Sequence, residues 1–527
     1  MIRVNRILVS MLLSGPAALM LSAASYELDL SRGSFPGGVE TENLNGVVPD
    51  QSVYKHGYVT TGWTVDRLDK RGYVALSPTY HASEAACENL LTLPELEIEE
   101  GNTLCWEARS VYRHFPESYR VMAYPEDGGE PILLLEVESE SYFWKNRGVS
   151  LEALSGRKVK FVFVCTSKSG YMLALTGVKV GSNEIPAENP ESSDADYAID
   201  PDFIRALVVD KGTGMWCTNC PEGETVIENL TERFGSRLIV LNTHVQDVLA
   251  NNPYWEKLEY YSVPRMMLNR IRATEGGNAN KFTDYYDKAS SFGIRMDAPV
   301  EIAGKNMKVN AQVRVSEDID NPDGRYSVGY VITGNFHDAD NVRYQQKNNC
   351  TQPAYGAYYF LPSTIPSALM FYDDVTLSYE TAFTGIEGSL PESLRPGETY
   401  NVEWECEAPK LLANPEDARI VAFVIDTVTG ELMNAKAMEV AAESAVHETL
   451  TPISESLFSI DASGIVKTSL LPGEAFNLEM FTTAGVKVWS EEGNASGNDS
   501  FRLPDAEGLI IVRLSAERGS SVIKFLR

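Results

Sequence analysis

The sequence predicts a multidomain, mostly β protein: a jelly-roll β-sandwich, then an α/β unit, then a second β-sandwich and a small C-terminal β-sandwich. Three observations lead there. The chain has 527 residues, too many for one unit when domains run to roughly 100–200 residues. Most of it alternates between short apolar runs and turn residues, the spacing of stacked antiparallel strands. Only after about residue 200 does the period change to that of a helix, directly behind a strand and a pair of cysteines.

Composition supplies the material and removes one class of partner. Hydrophobic residues make up 43% and aromatics 10%, enough for several cores and not the signature of disorder. Against 74 Asp+Glu stand 45 Lys+Arg, a formal net charge of −29. A phosphate backbone would be repelled, so no nucleic-acid partner is expected.

Residues 1–24 begin with Arg3 and Arg6, continue through an apolar stretch broken by Gly15 and Pro16, and end on the small residues Ser22 and Ala24. This is the pattern of a signal peptide cut near Ala24. No later run approaches the roughly 20 apolar residues of a spanning helix. The mature chain is therefore expected to be exported, to the cell surface or outer membrane or into the medium.

Residues 25–181 read as the first sandwich, with strands over Arg120–Ala123, Ile132–Val137, Lys158–Cys165 and Met172–Val180. At Gly62-Trp63, Tyr73-Val74-Ala75-Leu76, Glu88 to Pro94, Val149-Ser150-Leu151, Gly156 to Val159 and Leu175 to Val180 the segment resembles the cleaved-adhesin type of jelly roll. That resemblance implies binding or spacing on a bacterial surface, with a surface glycan or a protein as ligand. Residues 182–200 are acidic and rich in Pro, Ser and Asn, and read as a linker.

The chemistry lies in 201–293. Ile204–Val209 is a β-type run, followed by Lys211-Gly212-Thr213-Gly214 and Trp216-Cys217-Thr218-Asn219-Cys220-Pro221. From Glu222 to Phe234 the apolar positions Val226, Ile227, Leu230 and Phe234 recur at helical spacing, and Gly235 ends the pattern. Leu238–Leu241 and Tyr261–Leu268 read as further strands, and Lys281–Ser291 as weakly helical. At a helix N-terminus unsatisfied amides and the dipole stabilise a thiolate, lowering a cysteine pKa from roughly 8.5 toward neutrality. Two intervening residues let the second sulfur reach the first. Cys217 is thus the expected nucleophile and Cys220 the resolving thiol.

Here the chain resembles the thioredoxin superfamily, through Leu207-Val208-Val209-Asp210, the Trp216–Pro221 turn and Val263-Pro264. The resemblance implies that Pro264 is a cis-proline holding substrate backbone beside the cysteines. The buried carboxylate that often assists the second cysteine has no simple match: Asp210 is one residue too far upstream and Lys211 stands instead. More closely, Thr213-Gly214-Met215-Trp216-Cys217-Thr218-Asn219-Cys220-Pro221, with Val421-Ala422-Phe423-Val424, Asp426 and Thr429-Gly430-Glu431, resembles thioredoxin-like outer membrane proteins of the twenty-eight-kilodalton type. Thiol-disulfide oxidoreductase activity on extracytoplasmic protein thiols or disulfides is what this implies. The other reading is a non-enzymatic surface adhesin in which Cys217–Cys220 is a structural bridge.

Residues 294–445 return to β alternation, clearest over Lys308–Val315, Ser327–Thr333, Thr399–Glu405 and Ile420–Ile425. Residues 455–527 are again β, with Gly485, Gly493, Gly497 and Gly519 at turns. Glu479 to Val488, Leu503-Pro504, Gly508 to Leu514 and Val522 to Arg527 resemble the C-terminal sorting domain of the Por-type secretion system, which implies the outer-membrane secretion machinery as partner.

Other chemistry finds no motif. There is no HExxH, GxSxG or Walker-type loop and no second CxxC, so neither a metal nor a cofactor is expected. Asp318, Asp320 and Asp323 lack the helix-loop-helix calcium spacing, and His114 and His337 stand alone. Seven cysteines leave at least one free or paired between chains; Cys350 with Cys406, or two of Cys87, Cys105 and Cys165, are the candidate bridges.

Overall fold

In a computed structural model the described residues are 26–57, 62–81, 85–168, 170–187, 200–274, 289–297, 300–301, 306–413, 417–440, 458–460, 465–468, 470–482, 487–497, 499–504, 509–516 and 519–526. The expected signal peptide and most of the expected Lys281–Ser291 helix lie outside them. The chain is multidomain and mostly β, in two compact units, Met1–Ala442 and Glu443–Arg527. No helix among the described residues is long and apolar enough to cross a membrane.

The first unit opens with two antiparallel sheets. One orders Lys145–Ser150, Thr103–Ser110, Met172–Gly181, Gly72–Pro78 and Thr64–Leu68; the other orders Glu40–Asn43, Asn89–Thr92, Lys158–Cys165, Tyr119–Pro125 and Ile132–Val137. Inward positions alternate along Tyr119–Pro125, so Tyr119, Val121 and Ala123 meet Trp106, Phe161 and Phe163 in one core. The Trp106 indole is buried without orphaning its N–H, which donates to the Tyr119 hydroxyl at 3.1 Å. That hydroxyl in turn donates to Glu140 at 3.0 Å, and Arg147 pairs with Glu140 at 2.8 Å. Gly62, at φ +82, precedes the buried Trp63; a Cβ there would sit 2.6 Å from the Glu42 carbonyl. Residues 182–187 lie along this sandwich, with Thr103 Oγ1 donating to the Asn183 carbonyl at 3.0 Å.

A mixed sheet of eight strands follows. Its strands are β1 (Leu207–Thr213), β2 (Leu238–His244), β3 (Arg265–Leu268), β4 (Arg272–Thr274), β5 (Tyr326–Phe336), β6 (Tyr372–Thr376), β7 (Ala418–Asp426) and β8 (Leu432–Glu439), in the order β4-β3-β1-β2-β6-β5-β7-β8. Helices α1 (Cys220–Phe234) and α2 (Asn252–Leu258) cover its α/β half. One sheet thus joins strands from the segments 201–293 and 294–445. β1 pairs parallel with β2 and antiparallel with β3. Every residue of β1 and β2 is buried, as central strands covered on both faces require.

Alternation along β1 divides its side chains between the two helices. Leu207 and Val209 pack with Ile227, Leu230 and Phe234 of α1, and Val208 with Tyr254 and Leu258 of α2. The next two residues are charged. Asp210 falls on the α2 side, accepting from the Tyr254 hydroxyl at 2.5 Å and from Arg270 Nε at 3.1 Å. Lys211 pairs with Glu224 of α1 on the other side and is itself fully buried. On one face of β5 to β8 a second sheet that includes Phe292–Met296, Asn306–Val315 and Tyr400–Glu407 takes over, its Ile294, Val309, Val313 and Val402 packing on Val328, Tyr330, Ile420 and Val424. On the other face Val331, Val421, Phe423 and Ile425 share a core with Tyr254 and Leu258 of α2.

A long connection between β5 and β6 carries buried Tyr358, Phe360, Leu361, Ile365 and Leu369 into a core shared with Tyr54, Val74 and Tyr112 of the jelly roll. The Tyr112 hydroxyl donates to the Leu369 carbonyl at 2.5 Å.

The second unit contains strands Phe458–Ile460, Ile465–Thr468 and Ser500–Arg502 in one sheet, and Ala475–Thr482, Lys487–Asn494, Leu509–Ala516 and Gly519–Leu526 in another. Phe458, Val466, Leu478, Met480, Val512 and Leu514 form its core.

Asp210→Ala should cost about 3–5 kcal/mol, because it strands the buried Arg270 charge and the Tyr254 hydroxyl. Urea denaturation of the full chain measures this; a loss under about 1 kcal/mol would mean that Arg270 finds another partner.

Candidate functional site

Where β1 ends, the chain turns through Gly214 to Asn219 and enters α1 at Cys220. Pro221 at the helix start needs no N–H, Glu222 suits the positive end of the dipole, and Gly235 makes the last helical bond, to the Thr231 carbonyl, and ends the helix with its φ of +52. The turn is held from several sides. Met215 N donates to Asp247 Oδ2 at 2.9 Å, the Trp216 indole to the Val245 carbonyl at 2.8 Å, and Cys217 N to the Gly214 carbonyl at 3.0 Å. Burial opposes ionisation of Asp247. The bond from His244 at 2.8 Å and the Met215 and Leu249 N–H groups nevertheless hold its carboxyl below the ordinary range.

All three expected site residues meet here. The Cys217 sulfur lies 3.7 Å from the Val263 carbonyl, and the Val263–Pro264 peptide is cis. Pro264 also packs toward Gly223, where an added Cβ would come within 3.4 Å of the ring. The Cys217 thiol is brought down to about 7, first by the hydrogen bond from Cys220, then, against burial, by the Asn219 and Cys220 backbone N–H groups. Cys220 moves the other way: burial, then the bond to Cys217, pushes it up. One proton shared by two sulfurs leaves the charge on the outer one.

Exposure separates the two thiols only narrowly. Cys217 is 5% exposed and Cys220 1%. The rim is more open, with Trp216 49% and Tyr261 75% exposed. The Arg265 guanidinium lies 4.4 Å above the Tyr261 ring and donates to its hydroxyl at 2.6 Å.

Neither Asp210 nor Lys211 could be assigned to the cysteines from sequence. Pleating settles it: Asp210 points to the α2 face, while Lys211 lies under α1, where its charge favours the Cys220 thiolate. Its partner Glu224 was not among the expected residues. Nor were Gln346 and Asn349, which come from the β5–β6 connection. Gln346 Nε2 donates to the Cys217 carbonyl at 2.9 Å and Asn349 N to the Thr218 carbonyl at 2.8 Å. A sequence signal that could have pointed to this clamp is the aromatic density of Tyr355 to Phe360, which marks the segment for burial.

The remaining cysteines stand as free thiols. The candidate bridge between Cys350 and Cys406 is not formed, since Cys350 belongs to the core shared with the jelly roll and Cys406 packs against the second sandwich. Burial raises each to about 12. No group of metal-ligating side chains occurs among the described residues.

Alkylation of Cys217 by iodoacetamide should accelerate as pH rises through about 7 and level off above it, because the reactive thiolate is lost as pH falls through the lowered value. Mass spectrometry of the quenched reduced protein gives the profile. A midpoint at the ordinary thiol value of roughly 8.5 would contradict the stabilising bonds described.

No protein-family model matches the chain, and no curated protein matches it. Among solved structures it is similar to HBP35 of Porphyromonas gingivalis, at 14% identity and TM-score 0.33, over 62% of this chain and 99% of that one. It is also similar to a cleaved adhesin domain of Lys-gingipain from Porphyromonas gingivalis, at 20% identity and TM-score 0.23, over 30% and 100%. A third likeness is to TmCBM61 in complex with β-1,4-galactotriose, at 11% identity and TM-score 0.22, over 29% and 93%. At these values the likenesses assign no function.

Proposed function

We propose that the chain is an exported surface or secreted protein that exchanges thiols with disulfides on extracytoplasmic proteins through Cys217 and Cys220. The observation that carries this reading is the Cys217 sulfur, with its thiol at about 7, placed 3.7 Å from the Val263 carbonyl at the mouth of a strand–turn–helix. In the reductive direction the Cys217 thiolate attacks one sulfur of a substrate disulfide and expels the other as thiolate. Cys220 then gives up its proton and attacks the Cys217 sulfur, freeing the second substrate thiol and leaving a Cys217–Cys220 disulfide. Two electrons pass to the substrate. Pro264 and the Val263 carbonyl line the substrate backbone beside the sulfur, and Trp216 and Tyr261 offer apolar rim contacts.

In this proposal the jelly roll over 25–181 binds a surface glycan or protein, and the C-terminal unit over 455–527 is read by the outer-membrane secretion machinery. One observation favours the second reading, a surface binding protein with a structural cysteine bridge: only 5% of Cys217 is exposed, beneath a turn clamped by Gln346 and Asn349.

Reduction of insulin by dithiothreitol separates the two readings. The intact chain should accelerate it and Cys217→Ser should not, with little change in melting temperature. Equal rates for both proteins would remove the exchange reading and leave the binding one.

A further inference from the structure

A second sulfur pair lies in the jelly roll, remote in sequence from the CxxC turn. Cys87 precedes the strand Asn89–Thr92, and Cys165 ends the neighbouring strand Lys158–Cys165, where it pairs with Asn89. The ladder continues one step further, with Cys87 N donating to the Ser167 carbonyl at 2.9 Å. The two side chains therefore project from adjacent antiparallel strands onto one face, and their sulfurs are 3.8 Å apart. Both are buried in the sandwich core. Cys105, the third cysteine of this sandwich, is on the other sheet, its sulfur 3.6 Å from Thr103 Oγ1 and 3.9 Å from the Glu184 carbonyl.

The surroundings hold Cys165 in place. Its sulfur lies 3.9 Å from Glu117 Oε2 and 3.6 Å from Ser167 Oγ. Thr79 Oγ1 donates to Glu117 Oε1 at 2.9 Å, Ser167 Oγ donates to Oε2, and Gly170 leaves the space that this carboxyl occupies. Cys87, itself only 1% exposed, lines an open cleft of about 470 Å³ with Ser118, Arg120, Glu136 and Thr166, and this cleft brings a small reagent up to the sulfur pair.

We infer that Cys87 and Cys165 are a site of disulfide formation that staples the two strands, independent of the thiol chemistry at Cys217. A disulfide needs its sulfurs at about 2.05 Å. The two residues are diagonal neighbours on one face, Cys165 opposite Asn89 and Cys87 opposite Ser167, so closing the 3.8 Å gap takes side-chain rotation with a small approach of the two strand ends. The oxidant is a low-molecular-weight disulfide, RSSR. The Cys165 sulfur, to which the Cys87 thiol donates and which therefore carries the thiolate, attacks it, breaking the S–S bond and releasing one RSH; Cys87 then displaces the second RSH from the mixed disulfide. RSSR gains two electrons, and the two thiol protons end on the two RSH molecules. The bridge closes a loop with a sequence separation of 78 residues, long enough for a substantial restriction of the unfolded chain.

The test uses the full chain carrying Cys217→Ser and Cys220→Ser, so that failure here and failure of the exchange reading remain distinct. The protein is incubated with oxidised glutathione, denatured, alkylated and digested without reductant. The expected product is a peptide pair joined through Cys87 and Cys165, lighter by two hydrogens than the sum of its parts. Its melting temperature should then fall by several degrees on adding dithiothreitol. Recovery of both cysteines alkylated, a stable glutathione adduct at Cys165, or a bridge from either residue to Cys105 would overturn the inference. Cys87→Ala supplies a check on folding: its melting temperature should be unaffected by dithiothreitol, and a fall as large as that of the parent would also count against the bridge.

Discussion

Two opposite charges on consecutive positions of one fully buried strand constrain the rest of the α/β region. An unpaired buried charge is far costlier than a paired one, so each must find its counter-ion on its own side of the sheet. Asp210 does so with Arg270, whose guanidinium also donates to the Tyr254 hydroxyl at 2.9 Å, and the Asp210 carbonyl accepts from Tyr260 at 2.8 Å. These bonds tie α2 and the end of β3 to one face. Lys211 recruits Glu224 and thereby fixes the first turns of α1 on the other face. The cysteine turn is thereby anchored to β1 at both ends, by the chain itself and by the Lys211–Glu224 pair.

What surrounds that turn comes from distant parts of the chain. Asp247 reaches it from the loop after β2, and Gln346 and Asn349 from the connection between β5 and β6. That connection is in turn fastened to the jelly roll: Lys55 N donates to the Phe360 carbonyl at 2.6 Å and Lys55 Nζ to the Cys350 carbonyl at 2.8 Å. Packing thus runs without a break from the first sandwich to the backbone of Cys217 and Thr218. Rigid support of this kind favours a reacting group held in one geometry, and it narrows the approach to the sulfur at the same time.

Local pattern made much of this legible. The strands over Ile132–Val137 and Lys158–Cys165, the helix ending at Phe234 and Gly235, and the cysteines at its start all follow from periodicity and capping, which act over a few residues. Relations between segments were not legible. Nothing in the sequence near Tyr326 or Ala418 says that these strands extend the sheet begun at Leu207, because hydrogen bonding across a sheet edge leaves no local trace. The division of Asp210 from Lys211 required knowing which face α1 covers. Gln346 and Asn349 act through backbone groups and a single amide, so no cluster of reactive residue types marks them.

The reduction potential of the Cys217–Cys220 pair, measured by equilibrating the protein in glutathione buffers and trapping the thiols, bears most directly on whether these sulfurs exchange. A pair with an ionisable outer thiol at the mouth of the βα turn should titrate between dithiol and disulfide at about −120 to −270 mV, the span of known exchanging pairs. A pair that stays oxidised to below about −300 mV behaves as a structural bridge, and would contradict the reading of Cys217 as a nucleophile.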